Sequence, residues 1–195
     1  PVMYGGTEAF MKLRAVCQML QESGAKVNDK CGLHVHQDVS FILKAMRRAS
    51  IRQPETVLGA TALSLYERME PILDTVMPPS RRGNNNDYCV SVVKHPNVIL
   101  KQSDFSMDEW DDWGFGHHHS KLAIDSIEKR GSIEYRQHSG TFNAAKITAW
   151  VKLTWLIQQK IANIVLGIEK QLPTTFSNLN DLMEYVEAPA KLRAY

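Results

Sequence analysis

A chain of 195 residues, 44% hydrophobic and 23% charged, has enough apolar content for one core, and its length suits a single domain over 1–195, or one large part of a bigger domain. A formal charge of only +2 argues against nucleic acid or an anionic membrane as the principal partner. No apolar run approaches the roughly 20 residues that span a bilayer, and no secretory leader opens the chain.

Cys17, Cys31 and Cys89 are odd in number and lack CxxC spacing, so they read as reduced thiols of a cytoplasmic protein. The chain starts at Pro1 rather than methionine, and segments of the natural protein are expected upstream.

In chain order, Thr7 to Ser23 carries Phe10, Leu13, Val16, Cys17 and Leu20 at helical spacing, with Gly24 as the stop. Residues 25–38 read as a strand entered through the polar bend "NDKCG". Helices follow over 39–48 and 55–76, divided at Pro54, a favourable first-turn residue. Pro71 predicts a kink or break in the second.

"MPPSRRGNNNDYC" is a loop by its turn chemistry, and "YCVSVV" a strand after it. Residues 103–120, acidic and aromatic without clean periodicity, read as a long loop. "GSIEYRQHSG" alternates, with Ile133 and Tyr135 on one face and Glu134, Arg136 and His138 on the other. A long helix runs from a cap at Asn143 to Glu169, and a short final one over 179–186. Long helices mixed with short, separated strands indicate an α+β fold, its sheet mostly antiparallel.

Chemistry concentrates at a few positions. In "CGLHVHQD" a strand would turn His34 and His36 to one face, suited to a divalent cation or an anion. A solvated strand with two exposed histidines is the plain alternative. Glu134 and Arg136 share one face of a second strand, where a carboxylate could hold a metal and a guanidinium orient an anionic substrate. An ordinary ion pair on a wet sheet is equally compatible with that spacing. Arg81 and Arg82 lie in a flexible polar loop and suit phosphate oxygens, or a basic turn. Three consecutive histidines at 117–119 cannot all face one centre, and "DEWDDW" reads as an acidic loop.

These blocks together resemble a family. "CGLHVHQD" is similar to the HxH segment of glutamine synthetases at Gly32, His34, His36 and Gln37, with Asp29 and Lys30 replacing its leading asparagine-glycine. "SIEYRQHSGTFNAAKITAWVKL" resembles that superfamily's ExR strand and following helix. With the "PPSRRGN…YC" loop between them, the order most resembles the amidoligases of the glutamine-synthetase-like carboxylate–amine ligase superfamily, over most of residues 7–165.

The resemblance implies an ATP-dependent ligase that joins a small-molecule or peptide carboxylate to an amine through an acyl phosphate. It implies a Mg²⁺ or Mn²⁺ site at His34 and Glu134, His36 near the transferred phosphoryl, Arg136 orienting the carboxylate, and Arg81 or Arg82 facing the phosphates. One departure stands out. The family's early acidic metal-binding strand has no counterpart before Thr7, and Glu8 falls in a helix, so either that strand lies upstream of Pro1 or the protein does not hold a full set of metals. Two other function classes remain open on the residues. One is a non-catalytic nucleotide- or partner-binding module that keeps the fold. The other is an HxH metallohydrolase, although a barrel of about eight strand–helix units is not legible here.

Overall fold

The computed structural model describes residues 5–92 and 118–193. Strands β1 (Val35–Asp38), β2 (Leu122–Ala123) and β3 (Ser132–Tyr135) form one antiparallel sheet in the order β1–β3–β2. Seven helices accompany it among the described residues: α1 (Thr7–Glu22), α2 (Ser40–Arg48), α3 (Pro54–Val76), α4 (Ser126–Arg130), α5 (Ala144–Val165), α6 (Leu179–Tyr185) and α7 (Ala190–Arg193). The fold is α+β, as expected. Among the described residues no helix is long and apolar enough to cross a membrane.

The core lies on one face of the sheet. Val35, Leu122, Ile133 and Tyr135 turn into it and meet α3 and α5, which pack on each other. Central β3 is buried along its whole length. Pro54 occupies the first turn of α3, where its missing N–H costs no intrahelical bond.

The helix then runs through Pro71 without the break that was one of the two outcomes expected there. Leu58, Ala62, Leu65, Met69 and Leu73 on α3 are all fully buried. Each large side chain so buried contributes roughly 1.5–3 kcal/mol, together outweighing the roughly 3 kcal/mol cost of an interior proline.

Asn143 caps α5 as expected, its side chain accepting from the backbone N–H of Ala145 (3.0 Å) and Lys146 (3.1 Å). The helix ends at Val165 rather than Glu169, because Gly167 turns left-handed at φ 72°.

Other sequence-based expectations need correction. Only Val35–Asp38 of 25–38 pairs as a strand. Before it, Asn28 holds a turn, accepting from the N–H of Lys30 on its side chain and of Cys31 on its carbonyl. "YCVSVV" is reduced to one bridge, Val90 with Ser120, and Val93 lies outside the described residues. So does most of the predicted 103–120 loop, with "DEWDDW" and His117. Neither β2 nor α4 was foreseen, and α7 follows what had read as the last helix. Of the predicted apolar set on α1, Cys17 is buried, whereas Val16 and Leu20 are 52% and 38% exposed.

A polar network is sealed into this core. Lys121, wholly buried, donates to Glu70 (2.8 Å) and Asp74 (2.7 Å) of α3. Gln137 donates to the same Asp74 oxygen (2.6 Å) and accepts from the Tyr66 hydroxyl. The network therefore anchors both chain segments flanking Arg136, whose own N–H donates to the Lys121 carbonyl (2.8 Å).

Candidate active site

The site grows from the pairing of β1 with β3. Val35 stands opposite Tyr135 and His36 opposite Glu134, so the residues that alternate with the core-facing set share the outer face. His34 directly precedes β1 and joins them there. Its Nδ1 lies 3.0 Å from Glu134 Oε1 and 3.1 Å from Arg136 Nη1. Arg136 Nη1 donates to Glu134 Oε1 at 2.9 Å, and His36 Nε2 is 3.6 Å from that oxygen. The two motifs thus meet on one carboxylate oxygen.

The face is open on the histidine side and closed on the other. His34 and His36 side chains are 38% and 35% exposed, against 5% for Glu134 and 10% for Arg136. Burial by itself would raise the Glu134 pKa. The His34 hydrogen bond and the charges of Arg136, His36 and His34 more than reverse this, holding the carboxyl down to about 2. Glu134 is accordingly anionic at neutral pH.

Burial is also the main influence on His36 and lowers its pKa. Glu134 opposes that, while Arg130, His34 and Arg136 reinforce it. His36 Nδ1 lies 2.9 Å from Ser132 Oγ. A neutral ring with its proton on Nε2 satisfies both neighbours, accepting from the serine hydroxyl and facing the carboxylate with N–H.

Beyond β3 the register slips. Gly32 bridges Ser139, which leaves Leu33 and His34 on one side against Arg136, Gln137 and His138 on the other. The extra residue explains why His138 leaves the face on which alternation placed it. Its ring packs 5.5 Å from Trp150 of α5, and its Nδ1 lies 2.7 Å from the Ser139 carbonyl oxygen. Gly32 is needed where it stands: a Cβ there would come within 2.9 Å of His34 Nε2 and 3.2 Å of Arg81 Nη2.

The loop arginines part ways. Arg81 is buried, its Nη2 donating to the Cys31 carbonyl at 2.8 Å, so it braces the turn that carries His34. Arg82 is exposed, and its Nε donates to the Met77 carbonyl at 2.6 Å. Among the described residues no hydrogen bond or ion pair joins Arg82 to His34, His36, Glu134 or Arg136. Glu8 pairs with Lys12 on exposed α1 (2.7 Å) and takes no part.

Two supporting groups escaped the motif reading. Ser132 lay within reach of strand alternation, two residues before Glu134 on the same face. The Tyr88 carbonyl, which accepts from Arg136 Nη2 at 3.4 Å, had no sequence signal.

The histidines give a pH prediction. Burial is the chief cause lowering the His138 pKa, with Lys146 and Arg81 adding to it against the Ser139 carbonyl. The unfolded chain therefore takes up the proton first, near pH 6.5. Stability contributed by His138 is present above that pH and lost as pH falls through the lower folded value; His36 acts with the same sign. Melting temperature should drop between pH 7.5 and 5.5, and less steeply in His138→Phe. An equal slope in the variant would contradict the assignment.

The donor set passes one test for a hard divalent cation. An imidazole nitrogen and an ionised carboxylate oxygen 3.0 Å apart match the roughly 3 Å between adjacent ligands of an octahedral ion of Mg²⁺ size. Among the described residues, no group of three or more His, Cys, Asp or Glu side chains is placed to hold a metal ion. Further ligands would have to be water or substrate oxygens, as Mg²⁺ commonly uses.

No curated protein and no solved structure matches the chain. Residues 1–158 match the model of a family described as "Putative amidoligase enzyme". That match takes in His34, His36, Arg81, Arg82, Glu134 and Arg136, and this chain belongs to the amidoligase family.

Proposed function

We propose that this protein is an ATP-dependent carboxylate–amine ligase with a glutamine-synthetase-like catalytic domain, forming an amide or peptide bond through an acyl phosphate. The observation that carries the reading is the convergence of His34 and Glu134 at 3.0 Å, beside Arg136, on the open face of the sheet. Family membership supports amide ligation as the reaction class.

A carboxylate is a poor acyl donor because its leaving oxygen is too basic. When that oxygen takes the γ-phosphoryl of ATP and ADP departs, it becomes part of a phosphate, a stable leaving group that is released as the amine nitrogen bonds to the acyl carbon. His34 and Glu134 would hold Mg²⁺ or Mn²⁺, which when bound offsets the charge of the phosphates. Arg136 orients the substrate carboxylate. Its Nη2, held among the described residues by the long bond to the Tyr88 carbonyl, is the guanidinium nitrogen most readily turned to a substrate. His36, neutral and fixed by Ser132, would stand near the transferred phosphoryl, its single N–H on Nε2 turning from the 3.6 Å contact with Glu134 once a metal takes that carboxylate.

In this reading Arg82 offers the loop's accessible guanidinium to phosphate, and Arg81 supports the His34 turn. The substrates are a small-molecule or peptide carboxylate and an amine. The three free thiols, Cys17, Cys31 and Cys89, have no part in the chemistry and fit a cytoplasmic setting.

A non-catalytic module is the competing reading, favoured by the two-ligand character of the site among the described residues. Calorimetry with Mg²⁺ and a non-hydrolysable ATP analogue separates them. The ligase binds the analogue only with metal, a scaffold binds neither, and an HxH metallohydrolase binds metal without needing nucleotide.

A further inference from the structure

The link between α2 and α3, residues 49–53, is both strained and basic. Ser50 (φ 57°) and Gln53 (φ 48°) stand in the left-handed region that side chains disfavour, and Glu187 is the one other described non-glycine residue to do so. The turn is held by two backbone bonds, Ser50 N–H to the Arg47 carbonyl (3.0 Å) and Ile51 N–H to the Met46 carbonyl (3.0 Å). Strain of this kind concentrates at switches and modified segments.

The side chains of the link are accessible. Arg47, Arg48, Ser50 and Arg52 are all exposed among the described residues. Two guanidiniums therefore stand three and two residues before a surface hydroxyl, with Ile51 directly after it. Kinases that choose substrates by charge read that arrangement, their acidic groove pairing with the arginines on the N-terminal side of the acceptor. Arg47 is paired with Glu55 of α3, but across an exposed contact that exchanges at little cost. Arg47 and Arg48 close α2, and the last turn of a helix opens more readily than its middle, as a kinase groove requires.

We propose that Ser50 is a phosphorylation site for an arginine-directed serine kinase, and that the basic link retains the phosphate ahead of α3. Ser50 Oγ bonds to the γ-phosphorus of ATP held by the kinase. The bond from that phosphorus to the β,γ-bridging oxygen breaks, ADP leaves, and the hydroxyl proton passes to a carboxylate of the kinase. The new dianion lies four residues before Pro54, ahead of a helix whose N-cap, Gln53, supplies no side-chain bond. Arg47, Arg48 and Arg52 are each within three residues of it. Negative charge before a helix and beside guanidiniums tightens such a turn. The proposal is independent of the ligase reading.

The test is incubation of the folded chain with cyclic-AMP-dependent protein kinase and Mg-ATP, beside an arginine-containing control peptide, with tandem mass spectrometry to place the phosphate. Wild type should take one phosphate at Ser50, and Ser50→Ala should take none. Arg48→Gln, with an unchanged melting temperature, should be modified at least about tenfold more slowly, as expected for a lost charge-assisted contact. The phosphorylated protein should melt about 2–4 °C higher than the unmodified one. An unmodified wild type beside a modified control peptide, or equal incorporation in Ser50→Ala, would overturn the site. An unchanged rate in Arg48→Gln would overturn recognition through arginine, and an unchanged or lower melting temperature would overturn retention of the phosphate by the link.

Discussion

Lys121→Met should lower the stability of the protein by about 3–5 kcal/mol, a large part of what a domain of this size possesses. Methionine fills much of the same volume but leaves Glu70, which is 1% exposed, and Asp74 without their positive partner. Both carboxylates keep neutral donors. Val92 N–H donates to Glu70, and Gly83 N–H and the Gln137 amide donate to Asp74. Those bonds share the negative charge without cancelling it, so the uncompensated carboxylates disfavour the folded state.

Urea denaturation measures the loss. Adding Glu70→Gln and Asp74→Asn to Lys121→Met should recover most of it, because a neutral network of similar shape replaces an unbalanced one. A loss below about 1 kcal/mol, the usual worth of an exposed pair, would show that the network is not the anchor described here.

Glu134→Gln should have the largest effect on activity. The variant keeps the shape and still offers an oxygen to Arg136, but loses the charge with which Glu134 is proposed to hold a metal. Metal-dependent ATP turnover should fall by at least about 100-fold, while circular dichroism remains that of the wild type. Two consequences have opposite origins and can be separated. Arg136 loses its charge partner, which costs stability with or without metal. The loss of cation binding appears only in titrations with Mg²⁺ or Mn²⁺. Full turnover in Glu134→Gln would remove this residue from the mechanism.

Much of this site was legible because strand alternation is a short-range rule. Once "GLHVHQD" and "SIEYRQ" read as strands, His34, His36, Glu134 and Arg136 had to share a face if the strands paired. The pairing itself was long-range, and the order and spacing of family motifs suggested it where local pattern could not. Alternation failed at His138, where one unmatched residue in the bridge register turns the side chain toward Trp150.

Tertiary burial decided other positions. Pro71 sits inside an intact helix because the helix is a core element. Nothing local to Lys121 reveals that Glu70 and Asp74 come from a distant helix to meet it.

The central claim is that one imidazole and one carboxylate, brought from remote parts of the chain, bind a common divalent ion. Electron spin-echo spectroscopy of Mn²⁺ bound to the wild type and to His34→Ala tests this directly. The wild type should show nitrogen modulation from a coordinated imidazole, lost in His34→Ala along with most of the affinity. Tight Mn²⁺ binding without any nitrogen signal, or binding unchanged by His34→Ala, would contradict the account.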